Sequence, residues 1–222
     1  MSGPLTRWAD EVLSAGPREV VLATGSDALR FLQSQLAQDV ASLADGGHCW
    51  SLLLEPDGKV VALLRIVRHG DVVRIECDPG AGEAVVARLR RFLLRVAVEL
   101  EVVSQVEDVD HEIEADRVAR GFPRHGCEII PGTTVPAELG VLGFAVSFTK
   151  GCYPGQELVE RMDSRSASAP HHLVVLDAAH AVGSDVVVDG QIVGTITSSA
   201  GGFSIARVKR GTSIGREAPI DG

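Results

Sequence analysis

The chain has 222 residues, enough for one large domain or a main domain with a small appendage, and its hydrophobic content of 45% excludes a wholly disordered chain. Its formal net charge of −9 argues against a broad non-specific nucleic-acid surface, and no apolar stretch approaches membrane-spanning length. We therefore expect a soluble, cytoplasmic protein with no direct nucleic-acid or membrane partner. The four cysteines are widely scattered, which is typical of reduced thiols and not of a disulfide framework.

The first half of the chain predicts an antiparallel sheet with helices on one face. One helix is predicted to open at Gly25-Ser26-Asp27, because apolar residues then recur at three- and four-residue steps as far as Leu43. A second helix is predicted at residues 82–95, and Pro56-Asp57-Gly58-Lys59 is typical of a hairpin turn. Strands are predicted at residues 19–23, 49–54, 60–67, 72–77 and 96–106. This order of elements indicates the α+β class.

The second predicted helix carries a group of arginines that fall mostly on one side of it. They are Arg88, Arg90, Arg91 and Arg95. Such a group is typical of a solvated helix face, and we predict that role for it here instead of a binding patch.

The rest of the chain predicts a loop-rich segment and then a small β unit. An acidic connector is expected at residues 107–114, a short helix at 116–120, a buried strand at 141–148 and a helix at 158–162. After a linker-like run at 166–170, strands are predicted at residues 173–176, 185–188, 191–197 and 203–208. We expect a main domain at residues 1–165 and a small C-terminal β-barrel-like domain at residues 171–222 that docks on it.

The chemistry of the chain is concentrated in Lys150-Gly151-Cys152-Tyr153-Pro154-Gly155-Gln156-Glu157, which we call the thiol segment. It lies on a predicted strand-to-helix turn, where the helix dipole and the neighbouring Lys150 both favour the thiolate of Cys152. In contrast, Cys49 and Cys77 lie inside apolar predicted strands, where buried thiols are expected.

The residue pattern offers two other chemistries for Cys152. A nucleophilic cysteine needs a positioned histidine, and the candidates His125, His171 and His172 form no recognisable pairing. A metal site would have to gather His125, Cys127, Cys152 and His171, with no Cys-x-x-Cys pair, so no stable metal site is expected. The alternative of an iron–sulfur cluster that is held transiently, with ligands shared with a partner, remains open.

The polar residues after Cys152 have two interpretations. Glu157 and Arg161 are four residues apart on a predicted helix, which is the spacing of a surface ion pair. The amide of Gln156 and the carboxylate of Glu157 also match the hydrogen-bonding edge of a pterin or purine.

The thiol segment is similar to the signature of the YgfZ family of folate-binding proteins, which are relatives of the glycine-cleavage T-protein (aminomethyltransferase). The resemblance covers nearly the whole chain. It includes residues 25–40, Asp57-Gly58-Lys59, Gly121-Phe122-Pro123, Pro136-x-Glu138, Ser147-Phe148, Arg161 and Arg165.

The resemblance implies a tetrahydrofolate or related folate ligand and a role in supporting iron–sulfur enzymes or their assembly, including one that thiolates tRNA. It implies that Cys152 and Lys150 are the functional pair. The residues that it implies around the folate are Gln35, Asp39, Tyr153, Gln156, Glu157 and Arg161. A folate-dependent aminomethyl or one-carbon transferase, with Asp39 as its acidic group, and a ligand-free scaffold are the alternatives.

The chain departs from the family's pattern at three places. Pro154 replaces a small or hydroxyl residue, and Ser166 replaces a glycine. The segment between residues 106 and 121 is much shorter than in a typical relative, and the glutamate that binds the pterin in aminomethyltransferases has no counterpart in it.

Overall fold

A computed structural model of the chain describes residues 4–13, 18–104, 110–164 and 169–219. Its first half forms one five-stranded antiparallel sheet, in the order β2–β3–β4–β1–β5. The strands are β1 (Glu19–Thr24), β2 (His48–Leu54), β3 (Val60–His69), β4 (Val72–Cys77) and β5 (Glu99–Ser104). The predicted antiparallel sheet is confirmed, and the end of its last predicted strand, at residues 105–106, lies outside the described residues.

The hairpin between β2 and β3 closes at the turn that the sequence predicts. The Glu55 amide donates to the Lys59 carbonyl at 2.7 Å, and Gly58 has a φ of 88°. This positive φ favours glycine, which lacks the Cβ that would clash there.

The helices are α1 (Pro4–Trp8), α2 (Ala28–Gln35), α3 (Gly82–Arg90), α4 (His111–Arg120), α5 (Leu142–Ala145) and α6 (Gln156–Ser164). A π-helical turn, Ala9–Leu13, continues α1, and neither was predicted. The α2 and α3 helices pack on one face of the first sheet, where Phe31, Leu32 and Leu89 share a buried cluster with Ile66 and Ile75. This layer confirms the predicted α+β class.

Helix α2 is shorter than its apolar stripe predicts. Leu36 is extended, with φ −97° and ψ 152°, and it forms an isolated bridge with Leu53 of β2. The Ala37 amide then donates to the Leu52 carbonyl at 3.0 Å. Pairing with the edge strand thus replaces the last helical hydrogen bonds, while Val40 stays buried without a helix.

The predicted strand at residues 141–148 is wrong, because this run contains the short helix α5. The Ala145 amide donates to the Val141 carbonyl at 2.9 Å, and both residues are fully buried. A short apolar run fits a buried strand and a buried helical turn equally well, so the pattern could not separate them. The predicted helix after the thiol segment is confirmed by α6.

The predicted C-terminal β unit is a second five-stranded antiparallel sheet, in the order β10–β6–β9–β8–β7. Its strands are β6 (His171–Leu176), β7 (Asp185–Val188), β8 (Gln191–Ala200), β9 (Phe203–Lys209) and β10 (Arg216–Glu217). Within the described ranges β7 and β10 do not pair with each other, so the sheet is open and not a closed barrel.

The second sheet packs on the rest of the chain, as expected, through a buried polar cluster. Arg117 of α4 lies 3.0 Å from the Glu128 carboxylate and 2.8 Å from the Ser198 hydroxyl. Ser198 and Thr197 of β8 donate to the other Glu128 oxygen at 2.7 and 2.6 Å. These charge-assisted bonds join α4, the loop after it and β8. The division into two domains stays a prediction, because residues 165–168 lie outside the described ranges.

Candidate functional site

The thiol segment packs against the hairpin turn between β2 and β3. Gly155 has a φ of +87°, and a Cβ there would lie 2.8 Å from the Glu55 carbonyl oxygen and 2.9 Å from the Gly58 Cα. A Cβ on Gly58 would in turn lie 2.5 Å from the Cβ of Leu158 in α6. The two turns therefore meet so closely that glycine is required at both positions.

Lys150 anchors the start of the thiol segment on the end of α2. Its ammonium donates to the carbonyl oxygens of Gln33 at 2.5 Å, Leu36 at 2.6 Å and Gln38 at 3.1 Å. The last carbonyls of a helix carry its negative dipole end and lack helical partners, so a cation stabilises them. The ammonium also lies 5.4 Å from the centre of the Tyr153 ring.

A small group of charged and ionisable side chains surrounds this ammonium. Burial lowers the pKa of Lys150 to about 8, while the Asp39 carboxylate opposes the shift. Burial, and then Asp39, raises the pKa of the half-buried Cys49 to about 12. Asp39 itself accepts a hydrogen bond from the Gln33 amide at 3.0 Å. The structure thus brings together two predicted site residues, Lys150 and Asp39.

Cys152 is exposed at the surface, four positions before the first residue of α6. Among the hydrogen bonds of the described residues, none joins its thiol to the Lys150 ammonium. That ammonium donates instead to the carbonyls at the end of α2 and just after it. Of the candidate histidines, His171 lies 3.4 Å from the Glu138 carboxylate, and the His125 amide donates to Asp78. No cysteine–histidine pair is formed at Cys152 by the residues that the structure describes.

Gln35 lies on the other side of α2, where it meets Arg88. Gln35 is 6% exposed and Arg88 is 2% exposed, and their side chains are joined by a bond of 3.4 Å from Arg88 Nη1 to Gln35 Oε1. Arg88 Nε donates to the Leu54 carbonyl at 2.8 Å, at the end of β2. Its Cζ lies 4.5 Å above the ring of Phe92.

The prediction that Arg88 belongs to a solvated face is therefore wrong. The position was detectable, because Val85, Arg88 and Phe92 follow the three- and four-residue spacing of one helix face. The guanidinium is buried because it satisfies the terminal carbonyl of β2, which the helix stripe alone does not reveal.

The remaining predicted residues divide between the core and the surface of α6. Tyr153 is 6% exposed, and burial raises its pKa to about 12. Gln156 accepts from the Tyr153 amide at 3.4 Å and donates to Glu160 at 2.5 Å. Glu157 and Arg161 form an ion pair of 2.6 Å with both side chains largely exposed. Arg165 lies outside the described residues.

The donor set near Gln35 fits a heterocycle. Arg88 Nη2 is buried and has no hydrogen-bond partner within the part of the chain that the structure describes. A guanidinium beside an amide matches the acceptor and donor edge of a pterin. Both side chains are buried between α2 and α3.

The described residues also form a cavity of about 780 Å³ between α6 and the second sheet. Its walls include Met162, His171, His172 and Arg210. The volume is that of a small-molecule site, but none of the predicted site residues lines it.

In the described ranges, no group of three or more His, Cys, Asp or Glu side chains is placed to hold a metal ion. No described helix combines the length and the apolar character needed to span a bilayer.

Known proteins resemble the chain in fold more than in sequence. No protein-family model matches it. An uncharacterized protein of Haemophilus influenzae is 25% identical to this chain in an alignment that covers 71% of this chain and 70% of that protein. The crystal structure of glycine cleavage system aminomethyltransferase T from Bartonella henselae superposes with a TM-score of 0.74 at 14% identity, over 86% of this chain and 76% of that one. The chain therefore has an aminomethyltransferase T-like fold.

Proposed function

We propose that this protein is a YgfZ-like folate-binding accessory protein, which binds tetrahydrofolate or a related folate and assists the assembly or repair of iron–sulfur clusters. Modification of tRNA would then depend on it indirectly, through an iron–sulfur enzyme. The observation that carries the proposal is the exposed thiol of Cys152, presented on a segment that Lys150 anchors to the end of α2. The aminomethyltransferase T-like fold supports the folate part.

The residues of the thiol segment have separate tasks in this proposal. Lys150 positions the backbone before the thiol, and the close contact at Gly155 positions the backbone after it. Cys152 is exposed, so its thiol is accessible to a partner protein or its cluster.

Gln35 and Arg88 are the residues that would hold the heterocycle of a folate, with Asp39 four residues further along the chain. A bound reduced folate supplies a carrier for one-carbon groups. The half-buried Gln156 and the exposed Glu157 and Arg161 would then lie on the face offered to a partner, such as an iron–sulfur enzyme or assembly protein.

Complementation tests the role of the thiol. In a strain that lacks this protein, Cys152→Ala should fail to restore the activity of iron–sulfur enzymes, whereas Thr149→Ala, an exposed change in the same loop, should restore it. Full rescue by Cys152→Ala would refute the assignment.

Fluorescence titration tests the ligand. Tetrahydrofolate should change the emission of Trp8 and Trp50, and Arg88→Met should weaken binding at least about tenfold, the effect of one lost charged hydrogen bond. Arg90→Gln, on the exposed side of α3, is the matched control.

Two alternatives have an observation of their own. The fold favours a folate-dependent aminomethyltransferase with Asp39 as the acidic group, and turnover of an aminomethyl donor would establish it. The N-terminal helix favours a ligand-free scaffold. Its Trp8 packs against Phe122 in the core between the sheets, so protein side chains fill this space. Absence of binding at about millimolar tetrahydrofolate would establish the scaffold.

A further inference from the structure

A second thiol, that of Cys127, lines a cleft that does not include Cys152. The cleft has a volume of about 410 Å³ and lies between the loop after α4 and strands β8 and β9. Cys127 lines it and is half-buried. The other polar walls are His171, Thr195, Thr197, Arg207 and Lys209.

The cleft is cationic although the chain as a whole carries a net charge of −9. Among the described residues that line it, none is a carboxylate. Glu138 lies behind the wall, 3.8 Å from Arg207 and 3.4 Å from His171, so it balances the charge of Arg207. Glu128 lies behind Thr197 and is balanced by Arg117.

After these pairs are taken into account, the remaining positive charge of the cleft is that of Lys209. Its ammonium donates to the Ile192 carbonyl at 3.0 Å, and that group is neutral. Because Lys209 is exposed at the mouth of a cleft without carboxylate walls, it favours an anionic ligand.

The environment of the Cys127 sulfur differs from that of the other thiols. Arg124 Nη2 donates to it at 3.3 Å, and Nη1 of the same guanidinium pairs with the Glu114 carboxylate at 3.0 Å. Burial raises the pKa of Cys49 and of Cys77 to about 12, which disfavours their thiolates. Cys152 is exposed but is not in this cleft.

We propose that Cys127 is a thiol–disulfide exchange site whose cationic cleft selects anionic low-molecular-weight disulfides. The Cys127 thiol gives its proton to solvent, and its sulfur attacks one sulfur of the disulfide. A new sulfur–sulfur bond forms at Cys127, the original disulfide bond breaks, and the other half leaves as a thiolate. Cys127 is oxidised and the departing half is reduced, so the reaction needs no further oxidant.

The experiment compares an anionic with a neutral disulfide on the intact chain. The protein is incubated with glutathione disulfide or with 2-hydroxyethyl disulfide, and adducts at Cys127 and Cys152 are followed in time by peptide mass spectrometry. The ratio of the anionic to the neutral rate should be higher at Cys127 than at the exposed Cys152, by roughly tenfold at low salt. Salt should erase the difference.

Two charge-neutralising variants isolate the cleft. Lys209→Gln should lower the ratio at Cys127 by about threefold or more, the effect of one nearby exposed charge. Arg30→Gln, which removes the same charge from the exposed face of α2, should leave the ratio unchanged. Equal ratios at the two thiols, adducts at Cys152 alone, or equal effects of the two variants would overturn the proposal. None of these outcomes touches the proposed role of Cys152.

Discussion

The ammonium of Lys150 lies 2.5 Å from the carbonyl oxygen of Gln33, and with the neighbouring carbonyls this contact ties the thiol segment to the end of α2. In the sequence, Lys150 stands two residues before Cys152 as a cation that favours a thiolate. The structure shows that the same charge satisfies one carbonyl of the last turn of α2, that of Gln33, and those of Leu36 and Gln38 just after the helix. The cation therefore positions the thiol segment.

Replacement of Lys150 by Met should destabilise the protein and change its response to pH. The variant leaves three carbonyls without a donor, so we expect a loss of about 1 kcal/mol in the free energy of unfolding at neutral pH. The pKa of Lys150 is lowered from 10.5 to about 8 in the folded state, so between these values the unfolded chain binds more protons and wild-type stability rises with pH.

Urea unfolding of wild type and Lys150→Met across that window measures the effect. The gap between the two proteins should widen from pH 8 to 10.5, by on the order of 1 kcal/mol after allowance for solvent screening. A gap that stays constant would contradict the burial of the ammonium.

Substitution of Gly155 by Ala should cost far more stability than the same change at Gly151. The Gly155 Cβ would meet the Glu55 carbonyl at 2.8 Å in a left-handed backbone conformation, whereas nothing lies within 4 Å of a Cβ on Gly151. We expect a loss of about 1–3 kcal/mol for Gly155→Ala and within about 0.5 kcal/mol of wild type for Gly151→Ala. Chemical denaturation measures both, and equal losses would show that the hairpin contact is unimportant.

Removal of Arg117 should weaken the attachment of the second sheet. Arg117→Met leaves the fully buried Glu128 carboxylate without its cation, and we expect a loss of about 3–5 kcal/mol. Adding Glu128→Leu should recover part of that loss, because no buried charge is then left unpaired.

The control for this pair is the exposed ion pair of Arg30 with Asp27, at 3.0 Å. Arg30→Met should cost at most about 1 kcal/mol by the same unfolding measurement. If Arg117→Met behaved like Arg30→Met, the buried cluster would not hold the sheet.

Native alkylation should separate Cys152 from Cys49 and Cys77. With iodoacetamide near pH 8, Cys152 should react at least about a hundredfold faster than Cys49 and Cys77, whose pKa is raised to about 12 by burial. Peptide mass spectrometry gives the four rates, and urea should make them similar. Rapid labelling of Cys77 in the native protein would contradict its burial in β4.

Much of the first sheet was predictable because its signals are local. The hairpin at Pro56-Asp57-Gly58-Lys59 and the strand Val72–Cys77 follow from turn chemistry and from β-branched runs, which act between near neighbours. The thiol segment was equally visible, since its residue types and glycines are a property of the sequence.

The misjudged elements are those that another part of the chain decides. Residues 142–145 form a helical turn, and α2 ends at Gln35, because each packs on strand β2 and its neighbours. Arg88 is buried because it meets the Leu54 carbonyl, 34 residues away.

The sequence by itself determined the fold class, most strands and the presence of a thiol flanked by Lys150, Gly151 and Gly155. Only the tertiary structure decided that the Lys150 ammonium hydrogen-bonds to the end of α2, that Cys152 is exposed and that Gln35 contacts Arg88. The physical reason is the distance along the chain over which each interaction acts. Backbone preference and periodicity act over a few residues, whereas burial and hydrogen-bond satisfaction depend on which distant carbonyls and carboxylates the packed chain brings to each side chain.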